Sequence, residues 1–457
     1  MCMVNNGYTQ GEGDLNRRTV LRGIAAMGVA AGGFTVSSGA VAGETEDDCD
    51  IYVNDDGGGD EGEDGEDEED RENADYRSIQ AAENAAGPGE TICVAPGTYR
   101  ESVGIDTPNL TITSTEDREE VDVIGQEGAS SATISIDADG VTFDGISVHN
   151  PDRLIGVKVE RGVSGATVSN TLVSDVGPTG RLGVTGILAG GNNEDLVFDG
   201  NTVESLQQAG EGPFNPSTNG IFIDNNGSES TNVVITNNEI KDLTSEYASI
   251  GILTQDATDV RIEGNSVRDV SADDPDGIDF ATGINVDGGS NVTVRRNDVR
   301  DVTSDDGLGA AFVADGSISD LTVTANNLVS RIGFGNNTAS TLDATCNYWG
   351  SSSGPYDASD ADSQQDNPDG EGSDIAENPG AVDFTPWSTA PIDGDDEDDE
   401  IQDGSCSGGI DQDEGEEDEG EEEEDEGEDR EGDGGERDED GDEDDNEESD
   451  EEEEDED

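Results

Sequence analysis

Lysine is almost missing from this chain of 457 residues: Lys158 and Lys241 are the only two. Histidine occurs once, as His149, and methionine three times, which argues against His- or Met-rich copper and zinc sites. No CxxC pair or Cys/His cluster offers a structural zinc site either. A basic stripe able to neutralise phosphates is absent, so nucleic acid is excluded as a partner. Beyond residue 42 no apolar run is long enough to cross a bilayer, and no membrane anchor is visible.

What is abundant is acid. Asp and Glu number 114 against 20 Lys and Arg, giving a formal net charge of −94. At low salt such a charge strains a compact domain by self-repulsion. In molar salt the screening length falls to about 3 Å, and the composition suits a protein that works in brine. The charge is uneven. Residues 391–457 hold 43 acids against two arginines, and residues 44–75 hold 18 against one. Neither stretch has the apolar content to offset chain entropy. We therefore expect four regions: a targeting peptide over 1–42, an acidic linker with a first cap strand over 43–75, a folded domain over 76–390 and a disordered acidic tail over 391–457.

The targeting expectation rests on Asn16-Arg17-Arg18-Thr19-Val20-Leu21, followed by a weakly apolar run and Ala40-Val41-Ala42. Paired arginines ahead of a mild apolar segment and a small-x-small site read as a twin-arginine signal, which exports folded proteins. The expected location is therefore secreted and extracellular. Cysteine usage agrees with an oxidising compartment. Cys2 leaves with the signal, and Cys49, Cys93, Cys346 and Cys406 allow three pairings. Cys49–Cys93 with Cys346–Cys406 is favoured, because each bond then fastens one end of the domain. Sequons at Asn109, Asn226, Asn291 and Asn336 are available for glycosylation.

An internal repeat sets the fold. An apolar-x-apolar-x-x-Asn-x-apolar pattern places Asn201, Asn238, Asn265, Asn297, Asn326 and Asn347 at equivalent positions, with Ile146 and Thr171 in the earlier copies. Most copies follow a Gly-led strand, such as Gly220-Ile221-Phe222-Ile223 and Gly251-Ile252-Leu253. Each repeat holds two or three short strands of period two and is too small for its own core. Stacking the repeats buries their inner faces. The variable spacing fits coils whose turns can lengthen independently. The Asn is expected at a bend, in left-handed backbone geometry, with its amide bonding the Asn one coil away. The fold class is thus all-β, a right-handed parallel β-helix solenoid with a short N-terminal capping helix and a disordered acidic tail. The capping helix is read over Tyr76–Ala86 with Asp75 as N-cap.

The stretch Tyr76-Arg-Ser-Ile-Gln-Ala-Ala-Glu-Asn-Ala-Ala-Gly-Pro through Gly97-Thr-Tyr-Arg-Glu101 resembles the opening of right-handed β-helix proteins. These include the pectin-lyase-like superfamily and the periplasmic β-helix protein of nitrous-oxide reductase maturation. Cys346-Asn-Tyr-Trp-Gly-Ser-Ser-Ser-Gly-Pro355 with Val382-Asp-Phe-Thr-Pro-Trp387 resembles their closing segment. The resemblance implies the fold, while the architecture hosts lyases, hydrolases, esterases and non-catalytic proteins alike. Gly97–Glu101 also resembles a segment of pectin methylesterases. Their catalytic Gly-x-Val-Asp-Phe run is absent, and the segment is read as a cap turn.

Two columns follow the Asn-bearing strand. One runs His149, Ser174, Glu204, Lys241, Arg268, Arg300; the other runs Asn150, Asp175, Ser205, Asp242, Asp269, Asp301. The next residue, Val176, Leu206, Leu243, Val270 or Val302, is read as inward. A bland reading makes the columns a ladder of ion pairs. A chemical reading makes Asp242, Asp269 and Asp301 ligands for Ca2+. In it Lys241, Arg268 or Arg300, assisted by Asp269, removes the proton alpha to a uronate carboxylate. Long turns after these columns should build one wall, with Phe214, Tyr247 and Phe280 as sugar platforms. His149 reads as structural.

The function expected first is binding or modification of an extracellular polysaccharide or cell-surface glycan by a monomer. A lyase is the specific guess, with a glycoside hydrolase the other enzymatic form. A non-catalytic surface or matrix scaffold, or an accessory protein for an exported metalloenzyme, are the alternatives.

Overall fold

The computed structural model describes residues 49–55, 74–126, 131–151, 154–177, 183–208, 217–273, 279–305, 307–357, 366–392 and 406. The chain divides into two units, Met1–Ile410 and Asp411–Asp457, and every described residue belongs to the first. The expected targeting peptide, nearly all of the acidic tail and Phe214 lie outside the described residues.

Successive coils each contribute three strands. One full coil is Val184–Ala189, Glu194–Asp199 and Thr202–Gln207. Each strand pairs in parallel with its counterparts one coil before and after. Three stacked faces result. The first two are joined into one 20-stranded sheet, because Phe280–Arg295 and Gly309–Thr324 run through both; the third forms a separate 10-stranded sheet. This is the right-handed parallel β-helix.

The core is a set of vertical stacks. On the third face Val148, Val173, Val203, Ile240, Val267, Val299 and Leu328 lie in register, one per coil, all fully buried. Val176, Leu206, Leu243, Val270 and Val302 form a second buried stack, as expected. The strand-leading glycines answer the first stack. A Cβ on Gly186 or Gly251 would run into the γ-carbon of Val203 or Val267 and into the carbonyl of the glycine one coil on. Any larger residue there would force the corner open.

The side-chain ladder is continuous from Asn201 to Asn347. Each Asn donates its Nδ2 to the Oδ1 of the Asn one coil on, at 2.9 Å for every step. The same Oδ1 also accepts the preceding Asn's backbone amide. The ladder residues themselves do not carry the left-handed geometry expected of them. That falls one position earlier, on Gly200, Asn237, Gly264, Arg296, Ala325 and Cys346. Two further columns of positive φ mark the other corners: Asp195, Asn232, Asp259, Asn291 and Asp320, and Asp175, Ser205, Asp242, Asp269 and Asp301. One left-handed residue at each corner turns the chain, and Asp and Asn recur there because they tolerate it.

Both ends are closed. The capping helix is shorter than expected, Ile79–Glu83, and its N-cap is Ser78, whose hydroxyl accepts from the Ala81 amide at 3.2 Å. Asp75 instead accepts from the Tyr52 amide, so its carboxylate serves the first strand. The segment read as a cap turn has a defined job: Glu101 accepts from the Ser78 hydroxyl and the Ile79 and Gln80 amides at 2.8–3.0 Å. It holds a carboxylate at the helix start, where the backbone donors lack partners. At the other end Trp349, Phe384 and Trp387 are buried. The disulfides are Cys49–Cys93 and Cys346–Cys406, one for each end.

Candidate active site

The column of bases on the third face forms as read, with Ser174, Glu204, Lys241 and Arg268 in successive register. Its charges are consumed locally. Lys241 Nζ lies 2.9 Å from both Glu204 and Glu239. Arg268 reaches Glu239 at 2.5 Å and Asp269 at 3.1 Å, and Arg300 pairs with Asp298. Partial burial opposes the charge on Lys241, but the bonds from Glu204 and Glu239 outweigh it and raise its pKa. The Glu239 bond raises that of Arg268. Glu239, against the pull of its own burial, is held below its usual range by Lys241 and Arg268. A general base needs a pKa near the working pH, and these cations move the other way.

Asp242, Asp269 and Asp301 occupy the left-handed corner column, with φ of 55°, 55° and 54°. Their recurrence is accounted for by backbone geometry. Among the described residues no group of three or more His, Cys, Asp or Glu side chains is arranged to hold a metal ion. Asp242, Asp269 and Asp301 are not brought together as such a group.

The groups with altered acidity stand elsewhere, on the outer side of the first face. In Phe280–Arg295 the side chains of Ile284 and Val286 join the core, so the alternate positions Asn285 and Asp287 point outward. One coil on, Val313 and Asp315 pair with them in register, and Gln255 occupies the Asp287 position one coil before. Adjacent coils are about 4.8 Å apart, so the two carboxylates are neighbours. Asp287 is 0 % exposed and Asp315 6 %. Burial first, then the charge of Asp315, pushes Asp287 up to about 8; Gln255 pulls against this and Asp256 adds to it. Burial likewise raises Asp315 to about 6, opposed by hydrogen bonds from Asn337 and Asn285. Asp287 Oδ1 is buried without a hydrogen-bond partner, and so is Asn285 Oδ1. An ionised Asp287 would be costly there, whereas a protonated one is at ease.

Two of the three aromatic side chains expected on the wall meet. Tyr247 and Phe280 pack edge to face with centroids 5.6 Å apart, where the chain enters two successive strands of this same face. The sequence reading found the aromatics and missed the acids. The signal for them was present in the Gly-led element, where Asn285-Val-Asp287-Gly and Val313-Ala-Asp315-Gly fall at the same point of adjacent strands.

The right handed beta helix region family matches residues 122–299 and 161–356. The chain belongs to this family. No curated protein matches the sequence. Among solved structures, alginate lyase from Paenibacillus sp. str. FPU-7 is 14 % identical over 59 % of this chain and 91 % of its own, with a TM-score of 0.35. Pectin methylesterase from Aspergillus niger is 14 % identical over 62 % and 87 %, with a TM-score of 0.31. Pectin methylesterase PemA from Erwinia chrysanthemi is 11 % identical over 53 % and 81 %, with a TM-score of 0.27. Among the described residues no helix is long and apolar enough to cross a membrane.

Proposed function

We propose that this β-helix binds an extracellular polysaccharide on the outer side of its first face and cleaves it with Asp287 and Asp315, both of which the bound polymer must uncover in order to reach. The observation that carries the reading is the adjacent carboxyl pair whose acidities are raised to different extents. Near neutral pH Asp287 keeps a proton to donate to a glycosidic oxygen, while Asp315 is ionised and serves as base or nucleophile. Tyr247 and Phe280 supply an apolar platform at the edge of the same face. Hydrolysis is favoured over elimination, because Lys241, Arg268 and Arg300 are held as cations on the third face. The twin-arginine motif and the acid excess suit secretion into brine, where a folded, highly charged domain is stable.

The scaffold reading draws its support from the third face, where the bases are matched by carboxylates. The two readings separate in one experiment. The purified chain, in molar KCl, is incubated with neutral and uronate polymers while reducing ends and absorbance at 235 nm are followed. New reducing ends without unsaturated product, lost in Asp287→Asn, support hydrolysis. Unsaturated product means a lyase. No product on any polymer leaves the β-helix as a scaffold.

A further inference from the structure

The only histidine of the chain sits at the centre of a three-residue relay that spans three consecutive coils. His149 Nδ1 lies 2.9 Å from the Ser174 hydroxyl on the next coil, and Nε2 lies 3.2 Å from Asp122 Oδ1 on the coil before. His149 and Ser174 are in register on the outer side of the third face, and Asp122 reaches the ring from the strand Val121–Ile124. With Asp122 accepting the Nε2 proton, the lone pair of Nδ1 faces the serine hydroxyl. A nucleophile, a base and a group that orients the base are thus in hydrogen-bond reach.

Two further features fit the constellation. Asp175 Oδ2 lies 3.7 Å from the same Nδ1, so a carboxylate stands near each nitrogen of the ring. The ladder is also interrupted here: Ser174 pairs with His149, but Val176 pairs with Asn150, which takes Asp175 out of register as a β-bulge with φ of 53°. A bulge re-aims side chains and loosens one amide from the ladder. The amide next to a nucleophile is a usual donor to a developing oxyanion.

We propose that Ser174, His149 and Asp122 form an esterase site for small acyl esters, such as O-acetyl groups on sugar hydroxyls. Ser174 Oγ attacks the ester carbonyl as its proton passes to His149 Nδ1. The tetrahedral adduct collapses, the C–O bond to the alcohol breaks, and the alcohol leaves with that proton. Water then gives its proton to Nδ1, attacks the acyl-serine and releases the carboxylic acid, and the proton returns to Ser174. No oxidant, metal or cofactor enters the balance. Ser174 is 6 % exposed, which suits an acyl group as small as acetyl. The site stands on a different face from Asp287 and does not depend on the polysaccharide reading.

The test uses the full chain in molar KCl with a fluorophosphonate probe and p-nitrophenyl acetate. The expected result is a stoichiometric adduct mapped by mass spectrometry to Ser174. Ester hydrolysis should fall about 1,000-fold in Ser174→Ala and in His149→Gln, and at least tenfold in Asp122→Asn. Labelling of the unaltered chain requires no variant to fold. An unlabelled Ser174, an adduct on a different serine, or hydrolysis in Ser174→Ala equal to that of the unaltered chain would overturn the proposal.

Discussion

Asp287 pairs in register with Asp315 one coil on, and of the two it is the more deeply buried and the weaker acid. Stacking in a parallel β-helix places identical groups about 4.8 Å apart as a matter of geometry. Like charges at that distance out of water do not ionise together, so the pair splits into a proton donor and an acceptor.

Cleavage should follow a bell-shaped pH profile. The base must be ionised, so the rate rises through about 6; the acid must keep its proton, so it falls through about 8. The maximum is expected near neutrality, and the two limbs belong to the pair as a unit. Asp287→Asn and Asp315→Asn should each lower kcat by about 100-fold or more. Initial rates from pH 5 to 9 in molar KCl check this, and a flat profile would contradict the assignment.

Stability should also depend on Asp287. Its folded-state pKa of about 8 is above the ordinary 3.8, so the folded chain binds this proton more tightly than the unfolded chain. The contribution is fully present below about pH 4 and is lost as pH rises through about 8. The Tm at fixed molar salt should therefore decline across that window. Asp287→Asn removes the titration, and its Tm should vary less with pH over the same interval.

The ladder predicts a large cost for a small change. Asn265→Ala deletes the acceptor of both the Asn238 amide and its Nδ2, and removes one of the two donors to Asn297 Oδ1, the backbone amide at position 265 being the one that stays. Buried polar groups left unmatched cost about 1–3 kcal/mol each. A loss of about 2–4 kcal/mol in guanidinium unfolding is expected, against little change for an exposed amide side chain in ordinary strand geometry such as Gln207.

Arg268→Ala should do little. Its partners Glu239 and Asp269 are partly exposed, and such pairs contribute about 0–1 kcal/mol, less still in molar salt. Cleavage should be unchanged, since the residue stands on the other face from Asp287. A drop in kcat with preserved Tm would bring the elimination mechanism back.

The fold was legible because its cause is repetitive. A Val or Ile on each coil and an Asn at each turn leave a periodic trace, and both disulfides followed from having one near each end. Finer placements were harder. The left-handed residue precedes the ladder Asn, and Gly264, Arg296 and Ala325 share that position without sharing a chemistry. Asp242, Asp269 and Asp301 read as ligands because carboxylates in a row suggest a cation, yet the backbone bend alone explains their recurrence. Asp287 and Asp315 escaped notice for the opposite reason. In a chain with 114 acids, two more draw no attention, and what distinguishes them is burial, which no local pattern records. The Ser174–His149–Asp122 contacts cross 25 and 27 residues and become visible only when the coils are stacked.

The asparagine ladder gives the solenoid a direction. Every Oδ1 accepts from the coil before it, while from Asn201 to Asn326 each Nδ2 gives one hydrogen to the coil after and the other to a backbone carbonyl of the coil before. Each amide polarises the next. The carbonyl ends of the six amides therefore share one direction along the stack, an internal order independent of the surface charge.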